Sequence, residues 1–185
     1  MSVIAIVGAT GAVGREFIRV LRERPVGASQ WRYLASPRSA GARIEGVEGE
    51  AEVAPLTREA LRGVQVAFFS AGGATSREFA PAARDAGAVV IDNSSAFRMA
   101  PDVPLVVPEV NPQAARAHRG IIANPNCSTI IMAVVLAPLH RANPMRRVVV
   151  STYQAVSGAG ARAIGELERQ TREVLAGQQP RCEVF

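Results

Sequence analysis

A chain of 185 residues is long enough for one well-buried domain, or for one domain and part of a second. With 48% hydrophobic and 20% charged residues it is globular rather than disordered or fibrous. The net charge is +5 and all 21 basic residues are arginine, so the chain has no lysine for a Schiff base or for a nucleotide-triphosphate loop.

The arginines are scattered, with no basic run longer than Arg146-Arg147, and aromatics make up 5%, so no nucleic-acid partner is expected. No apolar run reaches the roughly 18 residues of a membrane span. The N-terminal apolar run lacks a preceding basic stretch and reads as a strand, so a cytoplasmic location is expected.

In chain order, "SVIAIV" (2–7) is a continuous apolar run, as expected of a strand covered on both faces. Val13, Phe17, Val20 and Leu21 then recur at helical spacing, and Pro25 is expected to close that helix. "WRYLA" (31–35) is a second strand, and "ARIEGVEGEAEVAPL" reads as two short strands around a Gly-rich turn. "VQVAFFSA" (64–71) is a further buried strand. Thr75 and Glu78 form a capping-box pattern ahead of a helix that Gly87 stops. "AVVID" (88–92) is the next strand. Asn111-Pro112 reads as an N-cap and first helical position, with Gly120 beyond the end of a short helix. "IIAN" (121–124) leads into an apolar helix over 128–140 that Pro138 is expected to bend or end. "RRVVVSTYQAV" (146–156) reads as a strand, and 161–177 as a helix stopped by Gly177.

This alternation is the signature of a parallel α/β sheet. It runs to about residue 126, which divides the chain into a dinucleotide-binding region (1–126) and the beginning of a second domain (127–185).

"GATGAVG", Gly8 to Gly14, follows a strand and opens a helix. In that context glycines let the backbone approach a pyrophosphate, while free N–H groups and the positive dipole end face it. The spacing, G-x-x-G-x-x-G, is not the strict dinucleotide pattern, and its placement at the first βα junction carries the reading. NAD-binding domains place an acidic residue about 20 residues further on, against the ribose hydroxyl. Here the second strand ends in "ASPRSAG" (35–41), with Ser36, Arg38 and Ser39 and no acid. Arginine and hydroxyls suit an anionic 2′-phosphate, so NADP is the expected cofactor, with an ordinary polar loop the competing reading of this stretch taken alone.

Cys127 and Cys182 are far apart in sequence, no Cys-x-x-Cys occurs, and the only histidines are His118 and His140; no metal site is expected. A disulfide is a poor expectation as well. Cys127, in "NPNCST" (124–129), stands at the N-terminal end of a helix, where unpaired N–H groups and the dipole favour a thiolate. From position alone, a nucleophile and a small buried hydrophobe are equally good readings. The surrounding constellation favours the nucleophile. A thiolate adding to an aldehyde gives a thiohemiacetal, a good hydride donor to a nicotinamide, and the resulting thioester can be cleaved by phosphate.

Arg98 in "IDNSSAFRM" (91–99) is the candidate anion clamp, downstream of a strand end, the edge where α/β ligands bind; taken alone, a surface salt-bridging arginine is the better reading. Gln154 in "YQAVSGAG" (153–160) is an amide that could orient a carboxylate or carbonyl, and Ser157 and Gly158 offer backbone N–H groups at a helix start. The base is missing. His140 lies thirteen residues along the helix from Cys127, about 20 Å at 1.5 Å per residue, and His118 reads as a capping or surface histidine.

"GATGAVG", "SPRSAG", "SAGG", "DNSSAFRM", "VVPEVN", "NPNCST" and "YQAVSGAG" together resemble aspartate-semialdehyde dehydrogenase, in order and spacing, over essentially the whole chain. The resemblance implies a Rossmann-type doubly wound parallel sheet followed by the start of an α+β catalytic and dimerisation domain. It implies NADP-dependent reductive dephosphorylation of aspartyl phosphate to aspartate semialdehyde, releasing inorganic phosphate, in lysine, threonine and methionine biosynthesis by a homodimer. By that likeness Cys127 is the acyl-thioester nucleophile, with Gln154 beside it. Gly8, Thr10, Gly11, Ala12, Val13, Gly14, Arg38, Ser39, Ala71, Gly72, Ser157 and Gly158 would serve the cofactor. Arg98, Asn126 and Gln154 would hold substrate or phosphate.

Family members continue beyond "PRCEVF", and their acid/base histidine lies in that continuation. The chain is therefore expected to be an N-terminal part that turns over poorly alone. N-acetyl-glutamyl-phosphate reductase is a nearer rival than glyceraldehyde-phosphate dehydrogenase. Its cysteine is flanked by Gly and Tyr, where this chain has Asn126 and Ser128. A non-catalytic dinucleotide-binding module is the alternative from another class.

Overall fold

The computed structural model describes residues 2–24 and 26–184. Pro25, expected to close the first helix, lies outside the described residues.

Six parallel strands form one sheet: β1 (Val3–Val7), β2 (Gln30–Ala35), β5 (Ala54–Pro55), β6 (Val66–Phe69), β7 (Val89–Asp92) and β8 (Ile121–Ala123). A separate antiparallel hairpin, β3 (Arg43–Gly46) and β4 (Gly49–Glu52), is the pair of short strands expected around the Gly-rich turn. The sheet order is β5-β2-β1-β6-β7-β8. Chain order thus runs outward from β1 in one direction and then, from β6, in the other. That reversal makes the carboxyl end of β1 the switch point of a doubly wound, Rossmann-type sheet, where ligands bind.

The strands are apolar because both faces are covered. Ala5, Val7, Ala67, Phe69 and Val90 pack with Ala80 and Ala83 of α2 (Gly73–Asp85). Ile6, Tyr33 and Ala35 pack on the opposite side with Ile18 of α1 (Ala12–Glu23). Alternate residues of one strand thus feed two cores, the period-2 consequence of the pleat.

Several expected boundaries move. The capping box does not form: α2 starts two residues before Thr75, on Gly72 at φ +87, a backbone conformation that only glycine adopts freely. Gly87 (φ +95) closes that helix, its N–H on the Arg84 carbonyl. Asn111 precedes a 3₁₀ segment over 112–117 with Pro112 leading. Its side chain does not cap that segment, because it turns back to accept from Val107 N at 2.8 Å and donate to Leu105 O at 3.0 Å. Pro138 does not end α3 (Cys127–Ala142), which carries on past it to Asn143.

The strand expected over 146–156 is absent. An isolated run of Val, Thr and Tyr has the propensity for a strand but needs a neighbour for its backbone groups. No strand of the described residues lies beside it, and Val149 and Tyr153 are largely exposed. Helix α4 (Ala161–Leu175) follows, entered through Gly160 at φ +93, with Gly177 at φ +71 beyond its end.

Candidate active site

The glycine loop is built by close approach. Gly8, at φ +88, leaves no room for a side chain: a Cβ there would stand 2.9 Å from the carbonyl carbon of Ser70 at the end of β6. Gly14 lies in the first turn of α1, and a Cβ there would stand 2.1 Å from the Gly8 carbonyl oxygen. The first glycine therefore makes the tight turn at the switch point, and the last lets α1 settle onto it. The unpaired N–H groups of the first turn of α1 then sit at the mouth of a cleft of about 770 Å³. A cleft of that size is in the range of small-molecule and cofactor sites.

Of the residues expected to serve the cofactor, Gly8, Thr10, Gly11, Ala12, Val13, Arg38, Ala71, Gly72 and Gly158 line this cleft. Three do not. Gly14 packs beneath the loop. Ser39 follows Arg38 in the chain, and its Oγ accepts from Thr10 Oγ1 at 3.4 Å, which ties the glycine loop to the turn after β2. Ser157 is the neighbour of Gly158. The cleft also takes in Gly160, at the end of the "YQAVSGAG" helix-entry loop already read as serving the cofactor, and Leu56, Thr75, Glu78 and Phe79, for which the sequence carried no cofactor signal. Thr75 and Phe79 lie one helical turn apart on α2, a spacing present in the sequence but indistinguishable there from a core-facing stripe.

Cys127 is the first residue of α3 and is exposed, as is Cys182; both are free thiols. Asn126 caps the helix, its Oδ1 accepting from Ser128 N at 3.0 Å, and this fixes the turn that presents the sulfur. The Cys127 Sγ reaches Gln154 Oε1 at 3.8 Å, and Asn126 Nδ2 reaches the same oxygen at 3.3 Å. Gln154 thus joins Cys127 and Asn126 although it lies 27 residues from the cysteine and on no strand.

Arg98 is held differently from a free surface arginine. Its Nε donates to the Asn124 carbonyl at 2.9 Å and its Nη2 to the Asn93 carbonyl at 3.0 Å. The guanidinium therefore braces the ends of β7 and β8, two residues before Asn126.

Neither histidine joins the group. His118 Nδ1 accepts from Gly120 N and His140 Nδ1 from Met145 N, each at 3.0 Å. Among the described residues, no three His, Cys, Asp or Glu side chains gather as metal ligands, and no helix is long and apolar enough to cross a membrane.

Residues 3–118 match the family model for the semialdehyde dehydrogenase NAD binding domain. This chain belongs to the semialdehyde dehydrogenase family. Residues 136–185 match that family's dimerisation domain. The chain is 50% identical over 182 residues to an aspartate-semialdehyde dehydrogenase from Synechocystis sp., covering 98% of this chain and 54% of the relative. It is 52% identical over 186 residues to one from Aquifex aeolicus, covering 98% and 55%. Among solved structures, aspartate semialdehyde dehydrogenase II from Vibrio cholerae complexed with ASA superposes with a TM-score of 0.90 at 45% identity, covering all of this chain and 56% of that one. The expected resemblance to aspartate-semialdehyde dehydrogenases holds, and the chain spans about half the length of the curated relatives it matches.

Proposed function

We propose that this chain carries the dinucleotide site and the nucleophile of an NADP-dependent, phosphorylating aspartate-semialdehyde dehydrogenase, cytoplasmic and homodimeric, that serves lysine, threonine and methionine synthesis. The reading is carried by one observation: Cys127 is an exposed thiol on the first turn of α3 with its sulfur on the Gln154 amide oxygen. The family's dimerisation model over 136–185 supports the homodimer, and the end of β8 at Ala123 supports a division after residue 126.

In the direction of aldehyde oxidation, the Cys127 thiolate adds to the aldehyde carbon and gives a thiohemiacetal. Loss of hydride from the thiohemiacetal carbon, for which a bound nicotinamide would be the acceptor, together with loss of the hydroxyl proton, leaves the thioester on Cys127. Phosphate then attacks the thioester carbonyl, the C–S bond breaks, and aspartyl phosphate leaves with the Cys127 thiolate restored. Gln154 and Asn126 orient the acyl group beside the sulfur, and the Arg98 guanidinium attracts the phosphate. Glycine-loop N–H groups bind the pyrophosphate, with Arg38 reading the 2′-phosphate and Ser39 tying the glycine loop to the turn that carries Arg38.

The test is phosphate-dependent oxidation of the semialdehyde by the enzyme encoded by the whole reading frame, with NADP and NAD compared. Activity with NADP that needs phosphate is expected. Arg38→Ala should cut the preference for NADP over NAD at least tenfold, since a charge-assisted hydrogen bond is worth about 1.5–3 kcal/mol. Equal use of NAD, or an unchanged preference in Arg38→Ala, would refute the cofactor assignment.

A further inference from the structure

The buried carboxylate of Asp92 has no part in the chemistry above. We propose that Asp92 is a positioning residue for the anion clamp, holding Arg98 in place through the turn that follows β7. This deepens the proposed function and rests on it.

Asp92 is the last residue of β7 and has no exposed surface. A carboxylate so placed is costly unless donors surround it. Three do. Ser76 Oγ donates to Oδ1 at 2.7 Å, Ser94 N donates to Oδ1 at 3.1 Å, and Ser94 Oγ donates to Oδ2 at 2.7 Å. Ser94 Oγ in turn accepts from Ala96 N at 3.0 Å. Both donors of Ser94 are therefore committed to one side chain, and the backbone from Asn93 to Ala96 is folded around it.

That turn carries the first anchor of Arg98, the Asn93 carbonyl. The second anchor is the Asn124 carbonyl, and the Asn93 and Asn124 side chains bond to each other, Nδ2 of Asn124 to Oδ1 of Asn93 at 2.6 Å. Arg98 is thus fixed at two points. The β7–β8 ladder, carried on by Asn124 N on the Asp92 carbonyl at 2.8 Å, sets their spacing, and the turn sets the course of the chain from Asn93 to Arg98. Ser76 bonds the same carboxylate from α2, at Oδ1, the oxygen shared with Ser94 N, whereas the Ser94 hydroxyl alone holds Oδ2. A carboxylate serving only stability would make its two hydroxyl partners equivalent. A carboxylate that folds the turn makes the Ser94 arm matter to the clamp and the Ser76 arm not.

The two arms can be cut separately in the enzyme encoded by the whole reading frame. Ser94→Ala and Ser76→Ala each remove one hydroxyl from Asp92, and Asp92→Asn keeps the shape while losing an acceptor. The Michaelis constant for phosphate in semialdehyde oxidation is expected to rise about tenfold in Ser94→Ala and Asp92→Asn, as a clamp displaced by a fraction of an ångström requires. The kcat at saturating phosphate and the affinity for NADPH should stay within about threefold. In Ser76→Ala the phosphate constant should stay within about twofold while the melting temperature falls about as far as in Ser94→Ala. If Ser94→Ala leaves the phosphate constant within twofold of wild type, or if Ser76→Ala raises it equally, the proposal is overturned. A wild-type enzyme indifferent to phosphate would sink the proposed function and this inference together, whereas a phosphate-dependent wild type with unimpaired Ser94→Ala would sink the inference alone.

Discussion

The glycine loop is the clearest case of a single atom deciding a site. At Gly14 a methyl group would meet the Gly8 carbonyl oxygen at 2.1 Å, and that oxygen is backbone that cannot move without opening the turn. Gly14→Ala should therefore cost more than about 3 kcal/mol, at the upper end of overpacking, and abolish dinucleotide binding. Gly158→Ala, where a side chain would meet nothing within 4 Å, should change stability by less than about 0.5 kcal/mol. Calorimetry and NADPH titration would check both. The glycines were legible in the sequence because they recur in a fixed order between a strand and a helix. Arg98 was legible as a residue but not as a brace, since its two carbonyl partners come from strand ends 31 residues apart and no sequence spacing announces that neighbourhood. Gln154 was picked out in the sequence as a strand-end residue; it reaches Cys127 without any strand beneath it.

Among the elements, the β3–β4 hairpin depends on one phenol. Tyr33 of β2 is buried, its hydroxyl accepts from Val47 N at 2.6 Å in the hairpin turn, and a Cβ on Gly46 would clash with that hydroxyl. Tyr33→Phe should destabilise by about 1 kcal/mol by leaving the Val47 N–H unpaired. The same phenol gives an alkaline signature. Burial raises the Tyr33 pKa above the ordinary 10.0, against the smaller opposing effect of the Val47 hydrogen bond. Above about pH 10 the unfolded chain loses this proton before the folded one does, so the unfolded state binds fewer protons and stability falls as pH rises. Below pH 10 the contribution is complete. No lysine titrates in that window, so a plot of melting temperature against pH from 9 to 11 should be steeper for wild type than for Tyr33→Phe; parallel curves would contradict this. The sequence showed the hairpin and most strands through their period-2 and apolar runs. The false strand over 146–156 has the same local signal, and what it lacks is a partner, which propensity does not encode.

At the scale of the whole molecule, the two halves bury themselves unequally. The sheet and its two cores account for almost all the buried apolar side chains, whereas α3, an apolar helix, has no buried residue. Ile131 and Val149 are 69% and 79% exposed. Apolar surface of that extent is a site of association. The 185-residue chain should self-associate as its concentration rises, read by sedimentation velocity. Ile131→Glu with Val149→Glu should reduce this while leaving stability within about 0.5 kcal/mol, because neither side chain is packed. A monomer at all concentrations would count against it. Such a face also explains why the helix was legible while its surroundings were not: its composition calls for burial, and the residues that would provide it are not among its neighbours in the fold.

The account stands or falls on the sulfur of Cys127. The most direct measurement uses the enzyme encoded by the whole reading frame, supplied with semialdehyde and NADP while phosphate is withheld. One equivalent of NADPH should form in a burst and stop, with an acyl adduct found by mass spectrometry on Cys127 and not on Cys182, and added phosphate should release it. Steady turnover without phosphate and without an adduct, or an unchanged burst in Cys127→Ser, would contradict the account.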